Sequence, residues 1–311
     1  FTVNTVNFST RKFSWNTTLT LSHNKNSVKA LTGEAVQLYE AKFGFNQNTH
    51  RIAVGEPLGQ FYGYITEGLY QVDDFNYDAS TQTYTLKDGV PYHGDKGQIR
   101  PGMWKFKNLT GDDNVIDEND KTVIGNAQPK FYGGLNNSFT YKGFDLSIFL
   151  TFSYGNEVLN ATKLVTSKVG RENYNALNVM NSHNRWMTIN DRGERVTDPA
   201  ELAAMNQGKS VASWHDNQEG NKYIHSWAVE DASFLRLSNV TLGYTFPKQL
   251  IKKIKLSNLR VYATGNNLFT WTPYTGFDPE VSNMRSPLTP GVDFGSYPRS
   301  RSFIFGVNIA F

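Results

Sequence analysis

From residue 301 to residue 311, apolar and polar side chains alternate. Arg301, Phe303, Phe305, Val307, Ile309 and Phe311 fall on one side of an extended chain. Ser302, Ile304, Gly306, Asn308 and Ala310 fall on the other. Period two is the mark of a β-strand with two different faces, and it excludes a helix here. The same pattern recurs upstream. Leu259, Val261, Ala263 and Phe269 oppose Arg260, Tyr262, Thr264 and Asn266. Val240, Leu242, Tyr244 and Phe246 oppose Asn239, Thr241, Gly243 and Thr245. Segment 143–155 places Phe144, Leu146, Ile148, Leu150, Phe152 and Tyr154 against Asp145, Ser147, Thr151 and Ser153, with Phe149 out of pattern. Phe131, Leu135, Phe139 and Tyr141 form another such face, and Phe13, Trp15, Leu19 and Leu21 a further one. In segment 1–8, Phe1 and Val3 are out of phase with Val6 and Phe8, which a β-bulge or a ragged start would explain.

A soluble β-sandwich also alternates, so three further features decide the reading. The strands run to about ten residues, the length a tilted membrane strand needs. Aromatic rings cluster at both ends of the apolar faces: Phe13, Trp15, Tyr141, Phe144, Tyr244, Phe246 and Phe311 at one level, Phe131, Tyr154, Phe234, Phe269 and Trp271 at the other. Such girdles mark the two membrane interfaces. Connections alternate between short (Ser9–Lys12, Tyr141–Gly143, Pro247–Lys255) and long (33–128, 156–230, 270–298). Antiparallel strands then put all long segments on one side, as in outer-membrane barrels. The expected fold is all-β: a transmembrane antiparallel β-barrel portion of about seven strands with three large external segments.

Composition agrees. No apolar run reaches the ~18 residues of a membrane helix, which leaves barrels open. The formal net charge of +3 over 311 residues gives no reason to expect nucleic acid. There is no cysteine, so neither a disulfide framework nor a thiolate zinc site can form. The start, Phe1-Thr2-Val3-Asn4, is no signal peptide and reads as the inside of a strand, so we expect a piece of a longer protein.

Several segments resemble the SusC/RagA type of TonB-dependent transporter. RIAVGEPLGQFYGYITEGLYQ (51–71) is similar to its GxPxGxFYGY segment, and IGNAQPKFYGGLNNSFTY (124–141) to its IGNxxPKFxxGxxNxxxY segment. Residues 144–155, FLRLSNVTLGYTFP (234–247), 259–272 and the YTGFDPE run (274–280) resemble further strands and turns of the family, in the same order. The resemblance implies that the chain is the C-terminal part of one barrel of about 22 strands, its plug domain and early strands lying outside this sequence. It implies uptake of oligosaccharides or peptides across the outer membrane, typically in Bacteroidota, with no covalent chemistry. Implied partners are a SusD-like surface lipoprotein, TonB acting through the absent N-terminal part, that N-terminal portion itself, and outer-membrane lipid. A soluble or surface-attached carbohydrate-binding β-sandwich is the alternative.

Site candidates are few. In the family, the region of Gly111–Asp120 often resembles a D-x-N-x-D-G-x-I-D-x-x-D calcium loop. Here that register makes Asp113, Asp117 and Asp120 the calcium candidates, while Leu109, Gly111 and Asn114 depart from the pattern. A solvated acidic turn is the competing reading. Trp104, Trp186 and Trp214 lie in the long segments and are candidates for substrate or partner contact, although packing inside a loop core is the commoner fate of such rings. The six histidines lack zinc spacing and read as surface or loop residues. No carboxylate pair or glycine-rich phosphate loop stands out as an active site. Lys248, Lys252, Lys253 and Lys255 read as a solvated basic turn.

Overall fold

A computed structural model describes residues 1–311 apart from 42–46, 112, 168–174, 214–222 and 283–285. Its largest element is a seven-stranded antiparallel sheet in which chain order is also spatial order. The strands are β1 (Thr2–Ser9), β2 (Phe13–Ser22), β3 (Phe131–Tyr141), β4 (Phe144–Tyr154), β5 (Phe234–Thr245), β6 (Asn258–Trp271) and β7 (Ser302–Ala310). β2 and β3 pair over ten positions although more than a hundred residues separate them in the chain. At about 3.3 Å per residue and a tilt near 45°, a strand of this length spans roughly 25 Å, the height of a membrane-facing apolar band.

Register sorts the side chains as the alternation predicts. Leu19, Leu135 and Leu150 share one face; so do Phe13, Tyr141, Phe144 and Tyr244, and so do Val261 and Val307. This face is bare: Phe303 and Phe305 are 67% and 80% exposed. A soluble sandwich would bury such a face under a second sheet. Bare apolar rows of this size belong against lipid or another protein. Thr17 and Asn137 interrupt the face, and they satisfy one another: Asn137 Oδ1 accepts from Thr17 Oγ1 at 2.7 Å and from Trp15 Nε1 at 3.0 Å.

The out-of-phase start has the expected cause. Register shifts between Val6 and Phe8, so Asn7 is the extra residue; Phe8 pairs with Trp15 while Val6 opposes Asn16 on the polar side. Phe149, the exception in β4, sits on the polar face between Asn136 and Asn239, with its ring over Gly134, where a Cβ would meet it at 2.9 Å. One expectation is corrected. Phe234 is not a girdle residue; it opposes Ser153 on the polar face and is buried.

The short connections leave from one end of the sheet and the long ones from the other. Lys142-Gly143 is a two-residue hairpin with φ of 45° and 90°, the left-handed pair such a turn requires. Thr10 Oγ1 accepts from the backbone N–H groups of Lys12 and Phe13 and so closes the first turn.

At the opposite end the three long segments share one core. Phe61 and Ala41 from the first pack with Leu159, Leu164, Ile224 and Ala228 from the second and Val292 from the third. A second cluster joins Tyr64, Trp104 and Phe106 to Trp186, Val196 and Leu202. Backbone bonds reinforce this. Strand Glu157–Asn160 runs between Val229–Asp231 and Val292–Asp293. Tyr64 N donates to Ile224 O at 2.9 Å, and the chains approach so closely that a Cβ on Gly63 would overlap that carbonyl.

Candidate functional site

Two surfaces follow from this architecture: the polar face of the sheet and the folded module above it. The polar face is a hydrogen-bonded lattice. Asn239 donates to Asn266, and Asn266 in turn to Ser302, so three strands are stitched side chain to side chain. Thr241 and Thr264 hydroxyls lie 2.8 Å apart. Near the short-turn end, Arg260 of β6 grips Asp145 of β4 with two bonds, 3.0 and 2.6 Å, passing over Gly243 of the strand between. Only glycine leaves room for that crossing, because a Cβ there would meet both side chains. Bidentate geometry on a half-exposed pair orients both groups toward the enclosed side.

At the long-loop end, β5 carries Arg236, whose guanidinium is buried with Asp278 at 2.6 Å. Arg299 binds Glu280 at 2.9 Å, and Asp278 Oδ1 also accepts from the Glu280 N–H. This ion cluster ties the 270–298 segment to the rim of the sheet.

The acidic loop has a different geometry from a cation cage. Asp120 is fully buried, and its Oδ1 accepts from Leu109 N (2.6 Å), Thr110 N (2.8 Å) and Thr110 Oγ1 (3.2 Å). Its Oδ2 accepts from Asp117 N at 2.8 Å. Burial would raise the Asp120 carboxyl, but these donors outweigh it and hold the group below the ordinary carboxylate value. Asp117 caps the turn Glu118–Asp120 through Asn119 N, and Asp113 accepts from Val115 N. Among the described residues, no three acidic or histidine side chains gather at one point. The described residues of this loop are arranged as a backbone-capping turn.

Trp104 and Trp186 are 2% exposed and lie in the shared core, so neither ring is presented at the surface. Trp186 covers Gly102, and Trp104 packs 4.9 Å from Trp227. Trp214 lies outside the described residues. Three histidines expected at the surface are buried instead. His50 bridges Thr49 Oγ1 and Pro290 O, and His225 pairs with Thr66 Oγ1. Among the described residues His93 has no hydrogen-bond partner at either ring nitrogen, and it sits among Tyr70, Phe106 and Tyr223. Burial lowers all three from 6.5: His50 and His93 to about 4, His225 to about 3.

The module also holds a cavity of about 480 Å³ between residues 160–184 and 275–293. Phe277, 74% exposed, stands at its edge. The sequence offered no signal for this site, because its walls come from two segments about a hundred residues apart.

No family model matches the chain. The chain is 33% identical over 318 residues to TonB-dependent receptor P3 of Formosa agariphila, with 100% of this chain and 28% of that protein covered. It is 27% identical to the TonB-dependent receptor SusC of Bacteroides thetaiotaomicron, covering 100% of this chain and 26% of SusC. Among solved structures, the RagAB peptide importer in its open-open state superposes with a TM-score of 0.67 at 19% identity, over 100% of this chain and 28% of that one. The chain thus spans little more than a quarter of the relatives it matches, and those relatives are receptors, not enzymes. With register, faces and loop placement in agreement, the chain is similar along its whole length to a β-barrel and long-loop portion of TonB-dependent receptors such as P3 and SusC, and it shares the fold of the matching part of the RagAB importer.

Proposed function

We propose that the chain forms wall and outer vestibule of an active importer that carries oligosaccharides or peptides across the outer membrane. The observation that supports this best is the seven-stranded sheet with a bare apolar face, a polar hydrogen-bonded face, and all long connections at one end. In this reading the apolar face meets lipid and the polar face lines the lumen. The module built from 33–128, 156–230 and 270–298 stands outside the cell and meets a SusD-like lipoprotein lid. TonB supplies energy through a part of the receptor outside this sequence.

Uptake tests the activity. Deleting the receptor gene, or TonB, is expected to abolish growth on the nutrient the receptor serves; unchanged growth on every glycan and peptide source would contradict the reading. Sidedness has its own test, helped by the absence of cysteine from these 311 residues. Gln207 and Lys253 are both exposed. In intact cells a membrane-impermeant maleimide is expected to label Gln207→Cys, and Lys253→Cys only after the outer membrane is permeabilised. The opposite order would invert the topology.

A further inference from the structure

The three short turns carry cations and neither aspartate nor glutamate. Arg11 and Lys12 sit in the first, Lys142 in the second, and Lys248, Lys252, Lys253 and Lys255 in the third. All are exposed, and among the described residues none meets a carboxylate within ion-pair distance. The one acidic residue of the seven strands, Asp145, is taken by Arg260 at 2.6 and 3.0 Å. Every other aspartate and glutamate falls in the long segments or at their edges. Charge is therefore sorted by end. Successive short turns lie two strands apart, about 10 Å, so the cations form a row along the rim. Like charges in a row repel one another unless an outside anion meets them.

The third turn adds apolar side chains to the charge. Lys248–Ile251 is one helical turn, and a 3-10 turn follows at Lys252–Ile254. Ile251 is 3% exposed, and its carbonyl accepts from Leu256 N at 3.2 Å, which holds the turn in place. Leu250 and Ile254 are left 60% and 61% exposed among the lysines. Apolar side chains interleaved with lysine are the make-up of a segment that lies in a membrane interface. A groove of about 490 Å³ opens on the bare apolar face beside this turn. Its bed is Ala263, whose neighbours across the sheet are Leu242 and Phe305, both exposed. Tyr244, Val261 and Val307 form the row nearer the turn. Tyr244 and Leu242 stand three and five residues before Pro247, about 10–16 Å along the strand. An acyl chain whose headgroup meets the lysines would reach this groove.

We propose that the short-turn rim is a docking surface for an anionic phospholipid, with its phosphate among Lys248, Lys252 and Lys253 and an acyl chain over Ala263. This rests on the importer reading above, which sets the apolar face in lipid and the short turns on the periplasmic side. A phosphodiester with no ammonium of its own complements unpaired lysines. Each basic side chain near an anionic lipid surface adds about fivefold to the association. A second copy of this chain in the same membrane fits less well, because it brings the same cations to the same rim.

The test uses the full-length receptor with a fluorophore at Ile309→Cys and no other reactive cysteine. Ile309 is exposed on the apolar face and precedes the groove on the turn side. The receptor is reconstituted in phosphatidylcholine vesicles with an equal minor share of either phosphatidylglycerol or phosphatidylcholine brominated on one acyl chain. Bromine quenches only a lipid neighbour. Phosphatidylglycerol is expected to associate about fivefold more strongly than phosphatidylcholine, and less so at high salt. The triple change Lys248→Gln, Lys252→Gln, Lys253→Gln should bring the ratio near one, while arginine at the same three positions should keep it. Ala263→Leu, which fills the groove, should weaken quenching by both lipids. Equal quenching by the two lipids, a ratio unmoved by the triple glutamine change, or quenching unmoved by Ala263→Leu overturns the proposal and leaves the barrel wall in lipid. Quenching by neither lipid sinks the barrel-wall reading, and the proposal with it.

Discussion

Acidification from pH 7 to 4 is expected to loosen the outer module while the seven-stranded sheet stays paired. His50, His93 and His225 are held neutral by burial, with values lowered from 6.5 to about 4, 4 and 3. The sign follows from proton counting. Below pH 6.5 the unfolded module binds protons that the folded one refuses, so stability is complete above that pH and falls as the pH drops toward 4. Lowering of this size corresponds to roughly 3 kcal/mol or more for each ring. Losses of that size are a large fraction of the roughly 5–15 kcal/mol that holds a domain folded. Hydrogen exchange at Tyr64–Leu69 and Ser226–Asp231, followed from pH 7.5 to 4 on the full receptor, measures this. His93→Phe provides the control. It removes a buried ring whose N–H has no acceptor, so it should stabilise the module by about 1–3 kcal/mol and flatten its share of the pH response. Protection that is constant down to pH 4 would show that the three rings are not held neutral.

The second large effect concerns Arg236 and Asp278. Their side chains are 2% and 6% exposed, and they lie 42 residues apart in the chain. Removing one partner strands a buried charge, so Asp278→Asn or Arg236→Met should each cost about 3–5 kcal/mol. The loss should be local: the 270–298 segment should become sensitive to trypsin, with Arg299 as a cleavage site, while the barrel resists. Replacing both residues, Arg236→Met with Asp278→Leu, should recover most of the loss, because two apolar groups leave no uncompensated charge. If each single change is as harmless as the double, the pair does not anchor the segment.

These two sites also show where the sequence stopped being informative. The sheet was legible because a membrane wall imposes period two on every strand, and because a girdle needs rings at fixed levels. The break at Val6 was visible as a phase error, and register assigns it to Asn7. Phe149 looked like an exception only because its space is made by Gly134 on the neighbouring strand. The outer module has no such rule. Its core joins Phe61, Leu159 and Val292 across three segments, and contacts of that separation leave no periodic trace. Trp104 and Trp186 therefore read either as contact candidates or as loop core, and both are core. His93 and His225 read as loop histidines and are buried, since a lone histidine carries no spacing signal. The acidic run left two readings open, a solvated acidic turn and an ion site at Asp113, Asp117 and Asp120. Its carboxylates accept from backbone N–H groups, which a sequence does not reveal.

The central claim is that one face of this sheet meets lipid and the other meets water. Nitroxide scanning of β7 in the full receptor, reconstituted in bilayers, tests it most directly. Collision with oxygen is expected to peak at positions 303, 305, 307 and 309, the bare apolar face. Collision with a water-soluble nickel complex is expected to peak at 302, 304, 306 and 308, the face that pairs with Asn266 and Arg260 on β6. Two opposite waves of period two are the predicted result. Nickel access at both faces, or two waves in phase, would contradict the account.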